Sequence, residues 1–207
     1  MADGGVAAGA EAEVAPQRPS VSEVHEVLRA HGAFLVHFSS YPPMGSLDSE
    51  ARVYPSDLIA VGNRECPSGI CCSTIMPRDN FAGGCNASGY IGLILRPVSD
   101  RSIIAASHED IGSNVINGVR QYLRPLAPVL RSDLENSITQ RAENAWNEWI
   151  VDDYEPVGVI TVGHGAACGA GEQTPEQLRE TFGFPVYRFD DGRLFRLHGD
   201  RWLAAEH

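Results

Sequence analysis

Lysine is missing altogether. Each of the 16 basic residues in this 207-residue chain is an arginine, and 27 acidic residues outweigh them to a formal net charge of −11. A domain that grips duplex nucleic acid by neutralising its phosphates needs clustered cationic side chains, so that class is set aside. Arginine forks suit bidentate contact with phosphate or carboxylate, and a pyrophosphate ligand or a short single strand stays compatible with this composition. The chain also lacks any apolar run of about 18 residues, so no membrane-spanning helix is expected. Its first residues, MADGGVAAGAEAEVAP, lack the basic start and compact apolar stretch of a secretion signal. The five cysteines are odd in number and include the vicinal pair Cys71–Cys72, which predicts reduced thiols in a cytoplasmic protein. Also absent are G-x-x-x-x-G-K-[ST], G-x-G-x-x-G after a strand, H-E-x-x-H and G-x-S-x-G. Phosphate-loop hydrolysis, Rossmann dehydrogenation, zinc proteolysis and serine esterase chemistry lose their support with them.

What is present can fold. Hydrophobic residues make up 43% of the chain, while 21 glycines and 13 prolines call for short elements and many turns. Residues 1–19 read as a disordered tail and 20–207 as a single domain, closed by a helix and hairpin within 163–207. Ser20-x-x-Glu23 is a capping box ahead of a helix whose apolar face is Val21, Val24, Val27 and Leu28, stopped by Gly32. Strands are predicted over Ala33–Phe38, Ile70–Met76, Tyr90–Leu95, Ser102–Ala106, Trp149–Val151 and Val157–Val162. Helices are predicted over Pro55–Val61, Val115–Leu123, Leu126–Asn144 and Thr174–Phe182, with a turn over Asp152–Pro156. Asp191-Gly192 sets up the final hairpin. The order implies an α+β fold with a mostly antiparallel central sheet and short flanking helices.

Three chemistries fit the remaining side chains. Cys66, Cys71, Cys72 and Cys85 resemble a zinc cluster in spacing, yet adjacent thiols on a strand point to opposite faces, and buried free thiols are the better reading. A Cys71 or Cys72 nucleophile with His37 or His108 meets the same burial. The third set is His37 at the end of the first strand beside Ser39 and Ser40, Ser73 and Thr74 interrupting ICCSTIM, and Glu148 at the head of a late strand. Lining one cleft, these types suit transfer from a glycosidic donor such as NAD. His37 holds a ribose hydroxyl, Ser73 or Thr74 supports the carboxylate, and Glu148 stabilises the positive charge that develops as nicotinamide leaves. The plainer alternative pairs Glu148 with Arg141.

The stretches LVHFS, ICCSTIMPRDNF, HEDIGSN and above all RAENAWNEWIVDDYEPVGVI resemble the ADP-ribosyltransferase fold, and more loosely the DarT-like DNA ADP-ribosyltransferase toxins. The resemblance covers roughly residues 33–162. It implies Glu148 as the catalytic glutamate, His37 as the nicotinamide-ribose residue of the first strand, and Arg52 or Arg78 as a phosphate contact; Ser39 and Ser73 are the further NAD contacts expected from the residues themselves. NAD would be the substrate, no metal would be needed, and a single-stranded nucleic acid or a protein would accept ADP-ribose. Such a toxin would be matched by an antitoxin or immunity partner. Trp146 stands where a Gln/Glu-x-Glu motif has its first acid, which argues against a protein arginine as acceptor. The competing reading is a non-enzymatic acidic module that binds a basic protein partner.

Overall fold

The computed structural model describes residues 17–38, 58–65, 69–76, 79, 91–109, 111, 113–116, 119–122, 128–141, 147–162, 175–190, 192–199 and 201–205. Ser39, Ser40, Arg52, Arg78, Cys66, Cys85 and most of the expected tail lie outside them.

The first helix, α1 (Val21–Ala30), starts at the expected capping box. The Ser20 N–H donates to Glu23 Oε2 at 2.8 Å, and the Glu23 N–H donates back to Ser20 Oγ at 3.3 Å. These bonds satisfy donors that have no partner inside the helix. Gly32, at φ +57°, turns the chain out of it. Strand β1 (Phe34–Phe38) follows, then α2 (Leu58–Gly62), β2 (Ile70–Ile75), β3 (Ile91–Pro97) and β4 (Ile103–Ser107).

Next come β5 (Ser113–Ile116) and β6 (Val119–Tyr122), paired antiparallel where a helix over Val115–Leu123 was expected. The β-branched Val115, Ile116 and Val119 favour extended backbone, and the two residues between the strands are Asn117 and Gly118, the pair that two-residue hairpin turns prefer. Helix α3 (Arg131–Thr139) is shorter than the expected 126–144 span, and β7 (Glu148–Val151) leads into β8 (Tyr154–Val162). Tyr154 to Pro156, read as a turn, belong to β8. The ladder from β3 slips between Ile94 and Leu95, setting Leu95 opposite Pro156 and leaving Val157 as the extra residue. A bulge is where a strand tolerates a proline. Helix α4 (Pro175–Phe182) and strands β9 (Val186–Asp190), β10 (Arg193–His198) and β11 (Arg201–Ala204) complete the order.

The fold is α+β. Nine strands form one sheet in the order β11-β10-β9-β8-β3-β1-β2-β7-β4, antiparallel throughout except for the β8–β9 pair. Alternation divides its side chains between two faces. Leu35, Leu93, Leu95, Cys72, Trp149 and Val151 pack with Val24, Val27 and Leu28 of α1, Leu58 and Val61 of α2, and Leu134 and Ile138 of α3. Val36, Ile75, Ile94, Ile160, Val162 and Phe189 build the opposite face, with Ala105, Ile111 and Ile150 forming its extension toward β4. No helix among the described residues is long and apolar enough to cross a membrane.

One glycine controls how closely β3 approaches β1. A Cβ on Gly92 would lie 2.6 Å from Val36 Cγ1 and 2.8 Å from the His37 carbonyl oxygen. The second neighbour is backbone and cannot turn aside, so Gly92→Ala should cost about 1–3 kcal/mol by overpacking, read as a lower urea midpoint.

Candidate functional site

The sheet forks at its centre. β1 pairs with β2 only as far as Val36–Ser73, but it stays paired with β3 through His37–Leu93 to Phe38–Gly92. β2 meanwhile stays paired with β7 through Cys72–Trp149, Cys71–Ile150 and Ile70–Val151. Beyond Val36 the two halves therefore separate, with His37 and Phe38 on one prong and Cys72, Cys71 and Ile70 on the other.

His37 spans the gap. The strand alternation explains why a histidine is useful there: with β1 diverging, the Cys71 carbonyl on β2 loses its ladder partner, and the imidazole takes that place. Nδ1 lies 2.7 Å from the Cys71 oxygen. Because a carbonyl only accepts, Nδ1 is the nitrogen that carries hydrogen. The side chain is 5% exposed, fixed on the floor of the fork.

Glu148 opens β7, as the sequence suggested. Its Oε2 accepts the backbone N–H of Ile111 in a short hydrogen bond, and the residue is half-buried. Register sets it beside Ser107 of β4.

The expectation that His37 and Glu148 share a hollow is not met by their directions. Phe34, Val36 and Phe38 belong to the face away from the helices, which turns His37 toward the helix side with Leu35. Trp149 and Val151 face the helices, which turns Glu148 to the opposite side with Ile150. A period of two separates residues whose positions differ by one in register. Cys71, half-exposed at the fork, shares the Glu148 face, whereas buried Cys72 lies on the helix side.

Ser73 and Thr74, expected to support the glutamate, are held by the residue before it. Asn147 is 2% exposed. Its Oδ1 accepts from Ser73 Oγ at 2.9 Å and from the Thr74 N–H at 2.8 Å. Its Nδ2 donates to Thr74 Oγ1 at 2.7 Å and to the Ser137 carbonyl at 3.2 Å. Ser137 Oγ donates to the Leu134 carbonyl at 2.7 Å and accepts from Trp149 Nε1 at 2.8 Å. One carboxamide thus fastens β2, β7 and α3 together, with its four hydrogen-bonding positions filled. The Ser73 proton is committed to Asn147, so Ser73 could offer a ligand only its lone pairs.

Arg141 does not pair with Glu148. Its guanidinium donates to the Thr74 carbonyl at 2.8 Å and forms a buried ion pair with Asp79. Burial pushes the Asp79 carboxyl above its ordinary value, against the downward pull of the Met76 N–H and of Arg141. A group whose folded value is raised favours the fold most below its unfolded value, near pH 4, and that contribution is lost as pH rises through the folded value. Arg141→Met should therefore cost about 3–5 kcal/mol at pH 7, where it strands a buried carboxylate. The cost should shrink toward pH 4, as urea unfolding at the two pH values will show.

Among the described residues no group of three or more His, Cys, Asp and Glu side chains is placed to hold a metal ion. Neither protein-family models, nor curated proteins, nor solved structures yield a match to this chain.

Proposed function

We propose that this chain is an NAD-consuming mono-ADP-ribosyltransferase that uses Glu148 as its working carboxylate and the β1–β2 fork as the entry for the nicotinamide end of NAD. The observation that carries the reading is a carboxylate held at a strand head by a backbone N–H, two strands away from an imidazole fixed in a gap of the same sheet. As the N-glycosidic bond breaks, nicotinamide leaves with the bonding pair and the ribose carbon becomes cationic. A fixed carboxylate favours that state over the neutral ground state. The acceptor nucleophile then bonds to the ribose carbon, and its proton passes to Glu148. His37 serves from the fork, against a ribose hydroxyl, rather than from the face of Glu148. Ser39, Arg52 and Arg78 remain the proposed outer contacts to NAD, and single-stranded nucleic acid or protein the proposed acceptor.

The test is incubation of the purified chain with NAD, scored for free nicotinamide, alone and with single-stranded DNA, RNA or protein. Release that depends on enzyme and rises with one acceptor supports the reading; no release with any of them ends it.

The opposed directions of His37 and Glu148 favour a second reading, that of an acidic module with net charge −11 that binds a basic protein. That reading predicts binding that weakens as salt rises, because opposite surface charges are screened within about 8 Å at physiological ionic strength, and no turnover of NAD.

A further inference from the structure

Away from the fork, at the other end of β1, lies a hollow of about 350 Å³, at the small end of the range of about 300–1,000 Å³ typical of small-molecule sites. Leu28, Phe34, Leu35, Ile94, Leu95 and Pro97 form its apolar walls. Three basic side chains, His25, Arg29 and Arg96, also line it, and among the described residues no acidic one does. In a chain of net charge −11 a hollow whose described lining holds two arginines and no acid runs against the overall balance.

The three basic side chains are engaged differently. His25 Nε2 donates to the Pro97 carbonyl at 2.8 Å, closing one side of the hollow. Arg96 is paired with Glu155, both side chains being at least half exposed, where such a pair contributes little. Arg29 is exposed, and its guanidinium makes no hydrogen bond or ion pair among the described residues. At the end of α1 the N–H groups of His31, Gly32 and Ala33 bond the carbonyls of Val27, Arg29 and Leu28, so the positive charge offered to an anion here comes from Arg29 and not from the helix end. An apolar pocket with an uncommitted guanidinium at its rim matches a ligand with an apolar body and one anionic head.

The geometry points to a binding site for a small amphiphilic carboxylate, with its chain in the apolar hollow and its head on Arg29. The inference stands independently of any activity toward NAD.

Octanoate is the probe, titrated calorimetrically into the full chain, with octan-1-ol and acetate as controls for head and tail. The expected result is saturable octanoate binding in the millimolar range or tighter, with octanol and acetate each weaker by about tenfold or more. Arg29→Gln should weaken octanoate by about tenfold. Arg29 is exposed, so the variant should fold, and circular dichroism checks that. Octanol binding as well as octanoate, an Arg29→Gln variant with unchanged affinity, or no saturable octanoate binding up to about 10 mM would each overturn the proposal.

Discussion

Glu148→Gln should reduce nicotinamide release from NAD by about 10²–10³-fold, the usual cost of losing one fixed group that stabilises charge in a transition state. The change is chosen so that structure and chemistry separate. Glutamine keeps an oxygen that can accept the Ile111 N–H, so the tether of β7 to the loop after β4 survives. What disappears is the negative charge, and with it the attraction for a cationic ribose. Because a charge-assisted bond becomes a neutral one, unfolding free energy should fall by about 1 kcal/mol and no more. Nicotinamide assays and urea unfolding on the same preparation decide the matter. Lost release with stability retained assigns Glu148 to chemistry. Release unchanged removes Glu148 from the reaction, and matched losses of both make it a strand-head anchor.

How far the residues alone could lead is clear from two neighbouring positions. That an acid would open the strand EWIV was legible, because the β-branched run after it and the polar stretch before it bound the element. The α+β class and the mostly antiparallel sheet were legible for the same reason, since apolar periodicity is a local property. What the glutamate faces was not. Its direction follows from the pairing register of β7 on β2, and register is fixed by contacts between residues more than 70 positions apart, such as Asn147 with Ser73 and Thr74. The same limit misdirected Arg141, which stands close to Glu148 in sequence and 62 positions from Asp79, yet is bound to Asp79. Two errors had local remedies. Asn117-Gly118 between β-branched residues is a hairpin signal, and it should have outweighed the helical reading of Val115–Leu123. The residue before the strand, Asn147, also carried a usable hint: a carboxamide there presents an acceptor and two donors, the complement of an unfinished ladder.

That carboxamide is where the fold should prove most vulnerable. Asn147→Leu keeps the volume close but removes every polar contact the residue makes. The Thr74 N–H and the Ser137 carbonyl are left buried and unsatisfied, each costing about 1–3 kcal/mol, while the two hydroxyls of Ser73 and Thr74 can turn to other partners. A loss of about 3–5 kcal/mol is expected, a large share of the stability of a single domain, seen as a lower urea midpoint at unchanged slope. A loss below about 1 kcal/mol would mean that apolar packing, and not this network, joins β7 to β2. Asn147→Asp separates the donor from the acceptor half of the amide. Its carboxylate can still accept from Ser73 Oγ and Thr74 N–H, but it faces the Ser137 carbonyl with no hydrogen to offer. Burial at this position raises the folded pKa of the new acid, because nothing nearby in the network is cationic except Arg141, whose guanidinium is already bound to Asp79 and Thr74. The sign follows: Asn147→Asp should come closest to the parent below about pH 4, where the protonated acid regains a donor, and lose stability progressively as pH rises. The leucine variant, with nothing to titrate, should show no such added slope. The contrast between the two distinguishes a missing hydrogen bond from a buried charge.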